Sequence, residues 1–236
     1  MIGRLAFILV FIVVGLAAPA AHANSKYAAF VMDYSTGEVL HSRRADVPLY
    51  PASLTKMMTL MILFEALERG QLTIDTKLNV SRRAADMPAS KLGLRAGSTI
   101  SVDQAIQAIT VRSANDVAVV IAEALGGTES EFAELMTTRA RSIGMRNTTF
   151  KNASGLPNRR QKSTARDMGK LADRLIRHYP GFYHFFSQPS FSYGGRIYRS
   201  HNRLVKSYRG MDGLKTGYTR ASGFNLASSA TRYGRR

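Results

Sequence analysis

The sequence predicts an α+β fold, an antiparallel sheet assembled from both chain ends around a block of helices. Short strand-like runs separated by turn residues stand near both ends of the 236-residue chain. Capped helical patterns fill the middle. One helix in the first third is apolar on every side, which places it inside a large core.

Taken in order, Tyr27 to Tyr34 and Glu38 to Ser42 read as two short strands joined across Ser35-Thr36-Gly37. A polar, proline-containing segment then leads to the stretch around which the chain is organised, Tyr50 to Gly70. From Leu54 to Leu67 strong helix formers dominate, and Gly70 stands where a C-terminal cap belongs. Its first turn nevertheless carries Ser53 and Lys56. Residues three apart share a helix face, about 4.5 Å apart along the axis. A hydroxyl and an amine at the mouth of a buried helix fit a nucleophile and its base; an N-cap serine beside an outward lysine is the plain structural alternative.

Residues 71–100 mix turn residues with short apolar runs and read as irregular. Ser101-x-x-Gln104 and Thr128-x-x-Glu131 are capping-box patterns that open amphipathic helices. Between them Asn115 to Leu125 reads as a helix stopped by Gly126-Gly127, and the third run closes at Gly144. Asn147 to Lys162 reads as a loop. Thr164-Ala-Arg-Asp167 starts a helix with Met168, Leu171, Leu175 and Ile176 on one face, and a structural ion pair accounts for its charges. Gly194-Gly195 between Phe191-Ser-Tyr193 and Arg196-Ile-Tyr198 signals a hairpin. Met211 to Thr219 and Phe224 to Thr231 read as two further strands. The aromatic cluster from Tyr179 to Phe186 reads as core or interface.

Residues 1–23 have the make-up of a cleaved secretory signal: Arg4, an apolar run from Leu5 to Ala18, and a small-x-small site at Ala21-His-Ala23. An uncleaved anchor is the alternative reading. The remainder, 24–236, reads as one domain with a helical insert over roughly 71–165. The chain has no cysteine, which excludes disulfides and thiol catalysis. Its histidines fall in no ligand spacing, so neither metal nor other cofactor is expected. The net charge of +17 lies entirely in the second part, where residues 135–236 hold 21 Lys or Arg against Asp167, Asp173 and Asp212. Such a field attracts anions; a basic surface that serves solubility alone is the plain alternative. Export and the absence of a nucleic-acid-binding motif argue against nucleic acid; carboxylate-ended peptides and an anionic membrane surface fit better.

Two motifs downstream extend the Ser53–Lys56 pair: Ser113-Ala-Asn115 at the junction of two helices, and Lys215-Thr216-Gly217 in the middle of a strand. Ser-x-x-Lys, Ser-x-Asn and Lys-Thr-Gly, in that order, resemble the penicillin-recognising serine acyl-transferases. Pro-Ala-Ser-Leu-Thr-Lys56, Gly-Leu-Pro157, Ser-Thr-Ala-Arg-Asp-Met168 and Asp-Gly-Leu-Lys-Thr-Gly-Tyr-Thr219 narrow the likeness to the D-alanyl-D-alanine carboxypeptidases, the low-molecular-mass penicillin-binding proteins, over most of residues 25–232.

The resemblance implies a β-lactamase/transpeptidase-like fold, export to the periplasm or cell envelope, peptidoglycan stem peptides as substrate, and β-lactams as inhibitors. It also implies roles. Ser53 is the nucleophile and Lys56 its base, which must be neutral; burial and Lys215 would both depress its pKa. Ser113 relays a proton toward the leaving amine, and Asn115 holds the substrate amide or Lys56. Lys215 and Thr216 take the terminal carboxylate, and Gly217 leaves room for an extended substrate. The backbone N–H groups of Ser53 and Tyr218 form the oxyanion hole.

Two rivals are a serine β-lactamase of the same fold and a non-catalytic wall-binding or penicillin-sensing protein. Against the first, no Glu-x-x-Leu-Asn pattern separates the second and third motifs, and the last glutamate is Glu134. The intact lysine argues against the second. The family continues beyond the last strand with another strand, a helix and a further carboxylate-binding arginine. The sequence therefore reads as lacking them, with an exposed edge beside Phe224 to Thr231.

Overall fold

The computed structural model describes residues 26–236, so the signal-like residues 1–23 lie outside the described residues. Near the start, β1 (Ala29–Met32) and β2 (Val39–Arg43) pair antiparallel, with Asp33 accepting the Ser35 and Thr36 N–H groups inside the turn. A 3-10 turn, Ala52–Thr55, then runs directly into α1 (Lys56–Glu68). Every α1 residue from Lys56 to Phe64 is buried, which is the placement an all-round apolar helix requires. Gly70 follows with φ +67° as the left-handed stop.

The region read as irregular holds β3 (Lys77–Asn79), α2 (Arg82–Ala85) and β4 (Thr99–Ser101), with β3 and β4 paired. Three- and four-residue elements are too short to leave a period in the sequence. Next come α3 (Val102–Gln107), a π-helical turn at Ala108–Arg112, α4 (Asn115–Gly126) and α5 (Glu129–Ser142). Ser101 and Gln104 make the full reciprocal capping box. At α5, Thr128 accepts the Glu131 N–H, but the Glu131 carboxylate bonds the Thr128 hydroxyl instead of its backbone, so the box is only half formed.

Helix α6 (Ala165–His178) buries Met168, Leu171 and Leu175. Thr164 caps it, whereas the Asp167 carboxylate turns away to accept the Asn147 N–H and the Thr148 hydroxyl. Arg166 grips Asp46 through two bonds of 2.8 and 3.0 Å, a structural pair. After α7 (Pro180–Tyr183), the aromatic cluster enters the core: Phe182 stacks on Phe64 of α1 at 4.9 Å between ring centroids, and Phe186 meets it edge-on at 6.3 Å.

The chain ends in two hairpins bridged by α8 (Leu204–Ser207): β5 (Ser190–Tyr193) with β6 (Arg196–Arg199), and β7 (Met211–Thr219) with β8 (Gly223–Ala230). β7 packs against the 3-10 turn before α1, which brings the third motif to the first.

The β1–β2 and β7–β8 hairpins are not hydrogen-bonded to each other. Between β1 and β8 lies a groove of about 980 Å³, floored by Met168, Ala172 and Ile176 of α6. Residues 232–235 form a tight turn at its end, with Tyr233 and Gly234 both at positive φ and Arg232 and Arg235 exchanging backbone bonds. Arg236 then offers its carbonyl to the Tyr34 N–H at 2.8 Å. Among the described residues no helix is long and apolar enough to cross a membrane.

Candidate active site

Ser53 sits in the 3-10 turn, one residue after Ala52, whose φ of +46° is left-handed. Left-handed backbone at a non-glycine residue is strained and persists only where the surroundings over-determine it. Here the loop after α5 locks it. A Cβ on Gly155 would stand 1.9 Å from the Ala52 carbonyl oxygen, so only glycine lets the loop lie against the turn. From the other side, a Cβ on Gly217 of β7 would stand 2.8 Å from the Ser53 nitrogen. The serine is thus held between two glycine contacts, one from each flanking segment.

Lys56, on the first turn of α1, is fully buried. Its Nζ lies 3.4 Å from Ser53 Oγ, 2.8 Å from Asn115 Oδ1 and 2.5 Å from the Ser154 carbonyl oxygen. Burial pushes its pKa well below the ordinary lysine value, and the charge of Lys215 pushes the same way; Asp116 opposes them. Asp116 is itself committed, accepting the backbone N–H groups of Leu92, Gly93 and Leu94. Lys215 is 2% exposed, donates to the Thr216 carbonyl at 3.0 Å, and is lowered by burial to about 7.

Ser113 ends the π-helical turn in the left-handed conformation, with φ 58° and ψ 38°. π-helical turns of this kind concentrate at functional sites. Its hydroxyl is buried and has no hydrogen-bond partner among the described residues. Asn115 opens α4, where its amide nitrogen donates to the Pro88 carbonyl at 2.9 Å while its oxygen faces Lys56. Of the two sequence readings for Asn115, the structure therefore occupies its side chain with the lysine.

Ser53, Ser113, Asn115, Thr216, Gly217 and Tyr218 line one cleft of about 600 Å³, while Lys56 and Lys215 are buried and do not line it. Six of the eight residues picked from the three motifs thus line the cleft, and Lys56 reaches two of them, Ser53 and Asn115. The larger groove between β1 and β8 shares Phe224, Asn225 and Leu226 with this cleft but is lined by none of the eight motif residues. Sequence reading missed the Ser154 carbonyl, the Ala89-Ser90 wall and the His201 to Leu204 wall. A backbone acceptor has no side-chain signature, although the Asn152 to Asn158 turn cluster marks the loop that supplies it.

A sequence model of the D-alanyl-D-alanine carboxypeptidases (peptidase family S11) matches residues 15–236. The chain belongs to that family. Among curated relatives, it is 34% identical over 213 residues to D-alanyl-D-alanine carboxypeptidase DacF of Bacillus subtilis, covering 88% of this chain and 54% of the relative. It is likewise 34% identical to DacA of Escherichia coli K12, covering 85% and 52%. The chain thus spans about half the length of the curated relatives it matches. Among solved structures, the carboxypeptidase DacD of Francisella tularensis superposes with a TM-score of 0.84 at 29% identity, over 99% of this chain and 67% of that one. The ampicillin-bound penicillin-binding protein D2 of Listeria monocytogenes gives 0.80 at 34% identity, covering 88% and 85%. The fold is that of the penicillin-binding proteins, as the motif order implies.

Proposed function

We propose that the protein is a serine D-Ala-D-Ala carboxypeptidase, which removes the terminal D-Ala from peptidoglycan stem peptides and is acylated by β-lactams. The observation that carries this reading is the hydrogen-bond inventory of Lys56. A neutral lysine amine has two N–H donors and one lone pair. Asn115 Oδ1 and the Ser154 carbonyl are acceptors for both donors, which leaves the lone pair for the Ser53 hydroxyl.

In this mechanism Ser53 Oγ attacks the carbonyl carbon of the penultimate D-Ala while its proton passes to Lys56 Nζ. The Ser53 and Tyr218 N–H groups bind the oxyanion. The C–N bond then breaks, and the leaving amine takes a proton through Ser113, whose hydroxyl stands free for that transfer. Water hydrolyses the resulting ester and returns Ser53. Lys215 and Thr216 receive the terminal carboxylate, and Gly217 keeps the strand close to the Ser53 turn.

Residues 24–236 form the catalytic domain, residues 1–23 direct export to the periplasm or cell envelope, and the basic second part favours contact with anionic surfaces. Incubation with a D-Ala-D-Ala-terminated peptide tests the reading: D-Ala is released by the wild-type chain and not by Ser53→Ala. Amidation of the terminal D-Ala lowers turnover sharply. Equal rates for acid and amide would instead indicate endopeptidase action.

A further inference from the structure

One wall of the Ser53 cleft, formed by His201, Asn202, Arg203 and Leu204, has no part in the proposed reaction. Asn202 is 6% exposed. Its oxygen accepts the Leu204 N–H at 3.2 Å, which fixes the loop, while its amide nitrogen is buried without a partner among the described residues. Buried polar atoms are almost always paired, so an unpaired donor on a residue that lines a cleft marks a place for a ligand acceptor. The hydroxyl of Ser113, which also lines the cleft, is likewise buried and unpaired among the described residues.

The charge around this wall has one sign. Among the described residues no Asp or Glu lines the cleft. Between Asp173 and Asp212 the sequence has no acidic residue, and Arg196, Arg199, Arg203, Lys206 and Arg209 fall in fourteen consecutive positions. Among the described residues none of these five takes part in an ion pair. His201 lies in the field of Lys215 and Arg112. Unpaired cations over low-dielectric walls focus the field and attract anions into the cleft.

We propose that Asn202 and Arg203 form a second anion subsite, which takes a carboxylate of the peptide substrate other than its C-terminal one. The proposal rests on the carboxypeptidase reading, in which Lys215 and Thr216 already hold the terminal carboxylate. A guanidinium and an amide donor carried by adjacent residues of one cleft wall suit a carboxylate with two oxygens to satisfy. The substrate class is therefore a D-Ala-D-Ala peptide with a free carboxylate in its interior, in preference to a neutral peptide of the same length.

Two pairs of peptides test this, each ending in free D-Ala-D-Ala and differing only as Glu or Gln at the third or fourth residue from the C-terminus. Binding is measured to the Ser53→Ala protein, and turnover to the wild type. In at least one pair the Glu peptide binds about tenfold tighter, the scale of one charge-assisted hydrogen bond. Arg203→Gln brings that ratio close to one, whereas Arg209→Gln, outside the cleft, retains it. Equal binding of both members of both pairs overturns the subsite, as does equal loss of preference in Arg203→Gln and Arg209→Gln. Preferential binding without turnover by the wild type overturns the carboxypeptidase reading and leaves the subsite standing.

Discussion

Lys56 Nζ lies 3.4 Å from Ser53 Oγ, and both of its remaining polar neighbours are hydrogen-bond acceptors. This arrangement suits an uncharged amine, and burial together with Lys215 depresses the lysine pKa in the direction needed. Acylation by penicillin accordingly falls as pH drops through that depressed value, because protonation fills the lone pair. Lys56→Arg puts a permanently protonated group in its place, so the acylation rate falls by about 10²–10⁴-fold, the usual contribution of a general base. Near-normal acylation by Lys56→Arg refutes the role.

The two glycines that clamp the Ser53 turn separate positioning from folding. Gly217→Ala puts a Cβ 2.8 Å from the Ser53 nitrogen, so β7 or the turn must shift. Displacements of this kind cost up to about a hundredfold in rate, and the variant should remain folded by circular dichroism while acylating slowly. Gly155→Ala adds a left-handed φ of +84° to a 1.9 Å clash with the Ala52 carbonyl. It destabilises by about 1–3 kcal/mol, as overpacking does, and a thermal melt checks it. Wild-type acylation by Gly217→Ala would show that the close approach of β7 is dispensable.

Much of this was legible in the sequence because the motifs are local: Ser53 and Lys56 share one helical turn, and Ser113 and Asn115 flank one junction. The buried helix followed from apolar residues on every side, and the helix stops at Gly70, Gly127 and Gly144 from glycines that adopt positive φ. The groove between β1 and β8 was legible only as an unpaired edge, since its other wall comes from residues two hundred positions away. The Ser154 carbonyl and the Asn202 wall were not legible at all. Their contribution depends on backbone placement and on a missing partner, and neither leaves a side-chain pattern.

Stability should rise with pH between about 7 and 9.5. Lys215 titrates at about 7 when folded against 10.5 as its ordinary value, and Lys56 shifts the same way. In that window the unfolded chain binds protons that the folded chain does not, so raising pH favours the folded state. Above it, the raised tyrosine pKa values of Tyr183 and Tyr179 act in the opposite sense. Urea midpoints at pH 7, 8 and 9 report the trend, and Lys215→Met flattens it. A midpoint that falls from pH 7 to 9 contradicts the burial of these lysines as neutral amines.

The open edges of β1 and β8, with Phe224 92% exposed beside them, expose this chain to edge-to-edge association. Sedimentation velocity at rising concentration should show growth beyond the monomer. A single monomeric boundary at all concentrations would show that the groove is protected.

The nucleophile assignment is the claim on which the rest depends, and covalent labelling tests it most directly. The chain is incubated with a labelled penicillin, digested and mapped, with Ser53→Ala treated in parallel. The account predicts one stable ester on the peptide containing Ser53 and no label on Ser53→Ala. Label on the peptide containing Ser113, or label retained by Ser53→Ala, would contradict it.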